Sequence, residues 1–308
     1  MSLNAYASPG RRYKVHRPIG RGGFGTVYLA DMLGDDGFVR AVALKVLNSN
    51  VNDTAEVARR FRDEARVLGL LRHRAIVHVD GLVYLGERQA LVMEYIDGAD
   101  LGRIMKLGPI APGPAVEIVG EVANALDVAV HTSGPDGRPL GLLHRDVKPS
   151  NVRITPAGEV KVLDFGLATV DDEDRMHLTT PGAMLGTVAY MAPEQMEGAR
   201  QVDHRADIYS LGAVLIESVG GIGAVPQAWR NLLSSFVNPV ASSRPSASEA
   251  NERLPDLTLK YYATLPGQPS RGPYEVKQLV ESFAGSVDVL GVATSRSTSE
   301  ELAAFEAE

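Results

Sequence analysis

A chain of 308 residues, 44% hydrophobic and 22% charged, can bury a sizeable core as one large domain or two ordinary ones. The absence of cysteine excludes a disulfide framework, a thiolate metal site and a cysteine nucleophile. A formal net charge of −7, with only short clusters of Lys and Arg, argues against a nucleic-acid partner.

Residues 1–12 read as a flexible N-terminus. The basic residues among the first eighteen precede no apolar run, so the start does not read as a signal peptide. Tyr13–Ile19, Gly25–Asp31 and Val39–Leu47 are rich in β-branched and aromatic residues and predict strands. Val57, Phe61, Ala65, Leu68 and Leu71 fall on one helical stripe, predicting a helix over 56–71 that Asp53 or Thr54 could cap. Val77–Val83 and Gln89–Met93 predict two further strands around a turn near Gly86. Glu94–Asp100 is a polar, Gly-containing connector. Beyond it Pro114–Val130, Asp207–Val219 and Gln227–Val237 predict helices, and Val152–Ile154 with Val160–Leu163 a hairpin across Pro156–Gly158. A β-rich part followed by a helical part suggests a cleft at the connector, a common place for ligands. No run approaches the roughly 18 apolar residues that span a membrane, so a cytoplasmic location is expected.

Four motifs carry chemistry. Gly20-Arg21-Gly22-Gly23-Phe24-Gly25 lies between two strands, and glycines let a backbone approach phosphates closely. A dinucleotide fold would need this motif to open a helix with an acid about 20 residues on. Here the strand continues and Lys45 occupies that place, which leaves a phosphate-covering hairpin or a plain Gly-rich one. Lys45, in Val42-Ala43-Leu44-Lys45, would ordinarily face solvent. It gains meaning from Glu64, because a Lys reaching phosphates needs a carboxylate to orient it. His144-Arg145-Asp146-Val147-Lys148-Pro149-Ser150-Asn151 precedes Asp164-Phe165-Gly166. Together these supply a carboxylate for a hydroxyl proton, a Lys for a phosphoryl group, and two hard oxygen ligands for Mg2+. A polar turn before a hairpin does not explain that order. Ala192-Pro193-Glu194 taken alone is a helix start.

In this order, these motifs make the chain resemble a eukaryotic-like Ser/Thr protein kinase of the bacterial type, from about Tyr13 to Leu254. The resemblance implies an α+β, bilobal fold with a small β-rich N-lobe at 13–93, a hinge at 94–100 and a larger, mostly helical C-lobe at 101–254. Residues 255–308 are left as a tail that could pack on the C-lobe, self-associate or inhibit. It further implies Asp146 as catalytic base and Lys148 and Lys45 as phosphate ligands, with Glu64 pairing Lys45. By the same resemblance Thr187 would bridge base and Lys, and Asn151 and Asp164 would be the metal ligands. The nucleotide would meet Gly20, Gly22, Gly25, Val27, Ala43, Met93, the backbone of Glu94 and Ile96, and Asp100. ATP with Mg2+ or Mn2+, protein substrates bearing Ser or Thr, and self-association for autophosphorylation at Thr179 or Thr180 are expected. Glu194 should pair with Arg244, and Asp207 should anchor the catalytic loop.

Two features depart from the family pattern. Arg153 stands where an aliphatic residue usually floors the adenine, so as a nucleotide-binding residue its guanidinium could lie flat under the base, or its stem could pack there with the head in solvent. The interval from Asp207 to Arg244 is short, which implies a C-lobe shortened after the Asp207 helix. Two other readings are a pseudokinase or scaffold that binds partners without transfer, and a small-molecule kinase.

Overall fold

The computed structural model describes residues 4–8, 11–21, 25–47, 61–62, 65–86, 88–165, 188–198, 202–263, 276–277 and 279. They form two compact units. The first holds the described residues up to Gly69 together with His78–Tyr95; the second holds Leu70–Val77 and the described residues from Ile96 onward.

The first unit is built on an antiparallel sheet of β1 (Asn4–Ser8), β2 (Arg11–Arg21), β3 (Gly25–Leu33), β4 (Val39–Leu47), β5 (Val79–Leu85) and β6 (Arg88–Glu94), in the order β1-β2-β3-β4-β6-β5. Strand alternation sorts its side chains onto two faces. Val42, Leu44 and Val46 join Tyr13, Val15, Ala30, Met32, Val83, Leu85, Ala90 and Val92 in one core. Ala43, Lys45 and Leu47 point the opposite way and are also buried. The register slips in β2 between Val15 and Arg17 and between Pro18 and Gly20. Pro18 has no N–H to give a ladder, and bulges accommodate such positions. Residues 61–62 and 65–68 are helical, with Phe61, Ala65 and Leu68 buried as their stripe predicts.

The start of the chain departs from expectation. Within the stretch read as flexible, Asn4–Ser8 pairs with Lys14–Arg11. Asn, Ala and Ser are poor strand formers, so the sequence carries little signal. The pairing satisfies ladder groups that β2 would otherwise present at the sheet edge.

The second unit comprises β7 (Ala99–Asp100), α1 (Leu101–Met105), α2 (Pro112–His131), β8 (Val152–Ile154), β9 (Val160–Val162), α3 (Pro193–Met196), α4 (Arg205–Ser218), α5 (Gln227–Phe236) and α6 (Ala247–Ala263). Pro112 suits the start of α2, where its missing N–H has no helical partner to lose. Val116, Val119, Val122, Ala123 and Leu126 bury α2, which packs against α4 and α6. Trp229, Leu233 and Phe236 recur along one face of α5 and are buried. Residues 219–226, between α4 and α5, contain turns and bends but no helix. The shortened C-lobe is therefore visible as a direct α4–α5 connection. Helix α6 continues past Leu254 to Ala263, with Pro255 inside it.

Candidate active site

In the first unit, Val27 pairs with Lys45, Lys45 with Leu91, and Ala43 with both Leu29 and Met93. Alternation puts Val27, Ala43, Lys45 and Met93 on the sheet face opposite the core described above. Lys45 is 8% exposed, a degree of burial rare for an ammonium group. Gly20 and Gly25 sit at the facing ends of β2 and β3. Glu94 ends β6, its N–H donating to the His78 carbonyl and its Oε1 accepting from His78 N. Gly22, Glu64, Thr179, Thr180 and Thr187 lie outside the described residues.

The second unit brings the remaining polar residues together. The segment 144–151 leaves regular structure before β8. Arg145 there has φ 63, in the left-handed region that non-glycine residues seldom occupy outside constrained sites. This turn directs two successive N–H groups at one carboxylate. His144 N donates to Asp207 Oδ2 at 2.8 Å and Arg145 N to Oδ1 at 2.7 Å. Asp207 is fully buried in α4; burial pushes its carboxyl up, while His144 and the two donors pull the other way. The His144 ring bonds the Leu163 carbonyl through Nε2 at 2.8 Å and lies 4.7 Å from the Phe165 ring. Gln195, at the first turn of α3, donates to the Arg145 carbonyl at 3.1 Å.

The loop so held presents Asp146. Its Oδ2 lies 2.8 Å from Lys148 Nζ and accepts from Asn151 Nδ2 at 3.1 Å, and the same amide donates to the Asp146 carbonyl at 2.9 Å. The carboxylate is thus oriented from two sides and neutralised on one. Asn151 N–H and C=O bond Lys148 O and Leu163 N, tying the loop to the end of β9, where Asp164 follows with φ 54. The amide donates through nitrogen, which leaves Asn151 a carbonyl oxygen. With the Asp164 carboxylate it makes a pair of hard oxygen donors, a set that suits Mg2+ or Mn2+ sharing its shell with phosphate oxygens and water.

Asp100 caps α1, its Oδ1 accepting from Arg103 N at 2.9 Å. Arg153 pairs with Asp100 across β7 and β8 and donates from Nη2 to the Gly98 carbonyl at 2.7 Å. The Arg244 side chain, 0% exposed, grips Glu194 through two bonds of 2.6 and 2.8 Å and reaches the carbonyls of Asn238, Arg205 and Pro239. Burial opposes ionisation of Glu194, but the Arg244 fork outweighs it and holds the carboxyl below its ordinary range. Beside Pro149, a groove of about 510 Å³ runs past Met105 and Leu107 to Tyr190 and Glu217. Tyr190 donates to Glu217 Oε2 at 2.5 Å, and burial followed by that carboxylate pushes the phenol up.

Two contacts were missed from sequence. Gln195 occupies the third position of a helix start, a capping signal that marks its Oε1 as acceptor of Ala192 N but not its amide as donor to the Arg145 carbonyl. Nothing marked the Gly98 carbonyl as a partner for Arg153.

Residues 13–258 match the model of the protein kinase domain family. A serine/threonine-protein kinase, pkn2, of Myxococcus xanthus is 32% identical over 92% of this chain and 33% of its own length. A tyrosine-protein kinase, MasK, of the same species is 37% identical over 79% of this chain and 38% of its own. The chain thus spans about a third of the length of these curated relatives. The crystal structure of the Mycobacterium tuberculosis PknI kinase domain superposes with a TM-score of 0.60 at 28% identity, covering 83% of this chain and 98% of that domain.

Proposed function

The chain belongs to the protein kinase family, and on that premise we propose that it transfers the γ-phosphoryl group of ATP to Ser and Thr hydroxyls of proteins. The observation that carries the reading is the Asp146–Lys148–Asn151 cluster on a loop fastened to buried Asp207. In it Asp146 orients the acceptor hydroxyl and takes its proton, while Lys148 faces the transferring phosphoryl group. Asn151 and Asp164 would hold the divalent ion, Mg2+ or Mn2+, which when bound neutralises charge on the phosphate oxygens. Lys45, oriented by Glu64, contacts the phosphates under the loop of Gly20, Gly22 and Gly25. Val27, Ala43 and Met93 meet the base, the backbones of Glu94 and Ile96 its edge, and Asp100 the ribose. Thr187 joins Asp146 to Lys148. Catalysis then rests on positioning and charge stabilisation, without a covalent intermediate.

Lys148 supports Ser/Thr acceptors, as the family resemblance implies and as the name of the pkn2 relative agrees. We place self-association for trans-autophosphorylation at Thr179 or Thr180 in the same reading, in which a phosphate of about −1.5 to −2 charge would be met by Arg145, as the family resemblance implies. Among the described residues no helix is long and apolar enough to cross a membrane; a cytoplasmic location is part of the same proposal. Residues 13–254 act as the catalytic domain, with helix α6 carrying the chain past that boundary to Ala263. Incubation with Mg·ATP, followed by phosphosite mapping, tests the reading. Phosphoserine or phosphothreonine in the unmodified chain and none in Asp146→Asn is expected. Phosphotyrosine alone, or nucleotide binding without transfer, would contradict it.

A further inference from the structure

Strand β7 is only two residues long, and its pairs with β8 are Ala99 with Ile154 and Asp100 with Arg153. Such a short ladder holds its chain weakly. Just before it Gly98 has φ 143, and a Cβ there would fall on the Ile154 carbonyl oxygen, so the connector runs closer to β8 than a side chain allows. On the other side of β8, Arg153 faces Lys161 of β9. Like charges directly opposite repel, while opposite charges attract. The guanidinium donates to the Gly98 carbonyl at 2.7 Å, on the β7 side of β8.

From this geometry we propose that Arg153 is a positioning residue for the nucleotide. Its charge-assisted bond adds one rung beyond the β7 ladder and fixes residues 96–100 on β8. The backbone of Ile96 and the carboxylate of Asp100 therefore stay in register with each other. Arg153 touches no reacting atom in this account; it acts through the connector. The inference rests on the kinase reading and assigns that site a residue which sets nucleotide affinity rather than the rate of transfer.

The test measures binding of ATP and a fluorescent ATP analogue to the whole chain, with kcat and KM for ATP, in wild type, Arg153→Met and Arg153→Lys. Met keeps the length of the stem and removes the donor; Lys keeps one charged donor. Loss of a charge-assisted bond predicts that Met weakens ATP binding about tenfold and raises KM similarly. The same variant should hold kcat within about twofold, because the transfer machinery is untouched. Lys should recover most of the affinity. A purely structural role would lower the melting temperature of both variants without separating KM from kcat. Equal or tighter nucleotide binding by Arg153→Met overturns the inference and leaves the kinase reading standing. Absence of ATP binding by the wild-type chain overturns the kinase reading itself.

Discussion

Arg244 shows how one side chain can fasten a segment. All of its guanidinium nitrogens are engaged inside the protein, and Glu194 supplies its compensating charge. Removing one partner of a buried pair leaves a charge without water or counter-ion, at a cost of about 3–5 kcal/mol. Glu194→Gln keeps the shape and loses the charge, so a cost near the lower end, about 3 kcal/mol, is predicted for urea unfolding. The pH dependence follows from the depressed carboxyl of Glu194. A carboxyl more acidic in the folded than in the unfolded chain stabilises fully above the unfolded value, about 4.3. That stabilisation is lost as pH falls through the lower folded value. Wild type should therefore shed stability below about pH 4.3 in a step that Glu194→Gln lacks. Parallel stability curves for the two proteins between those conditions would show that the pair contributes nothing.

At the scale of elements, the hairpin of β8 and β9 does two things. Its first strand carries Arg153 next to Asn151, and its turn is a docking place. Gly158 in that turn has φ 83, and a Cβ there would lie 2.7 Å from Lys277 N. Val276 beside it is 2% exposed. Residues 276–277 thus rest on the turn, and Gly158 is needed for both its backbone angle and the close approach. Gly137 has a similar φ of 76 with nothing near its missing side chain, so it separates strain from contact. Gly137→Ala should cost about 1 kcal/mol from backbone strain alone. Gly158→Ala should cost more and should open the chain around Val276 to limited proteolysis. Equal destabilisation and an unchanged digestion pattern in the two variants would show that the 276–277 segment is not held there. The sequence marked the hairpin, because Val152–Ile154 and Val160–Val162 alternate around a Pro–Gly turn. It did not mark the docking, which depends on a glycine φ and a residue more than a hundred positions away. Two-residue β7 was equally invisible, since its pairing is set by β8 and not by strand propensity.

For the whole molecule, what could be read in advance divides by mechanism. The contacts among Asp146, Lys148 and Asn151 were legible because the three residues stand within six positions of one another. Local sequence therefore carried most of the geometry. The fastening of that cluster by Asp207 was legible only through family resemblance, since the partners are 62 and 63 positions apart. The direct α4–α5 connection was legible as a short interval before Arg244, and the structure turns it into residues 219–226 without a helix. The pairing of Asn4–Ser8 was not legible, because its stability comes from the edge it covers. The central claim is that Asp146, oriented by Lys148 and Asn151, makes this chain a phosphoryl-transfer enzyme. Its most direct test is the single-turnover rate of phosphoryl transfer from Mg·ATP to a Ser/Thr protein acceptor by wild type and Asp146→Asn, with ATP affinity measured alongside. A positioned acid–base group contributes about 10²–10⁴ in rate, so the account predicts a fall of at least about a hundredfold with ATP affinity within about twofold. Equal rates in the two proteins, or no transfer by wild type that binds ATP, would contradict it.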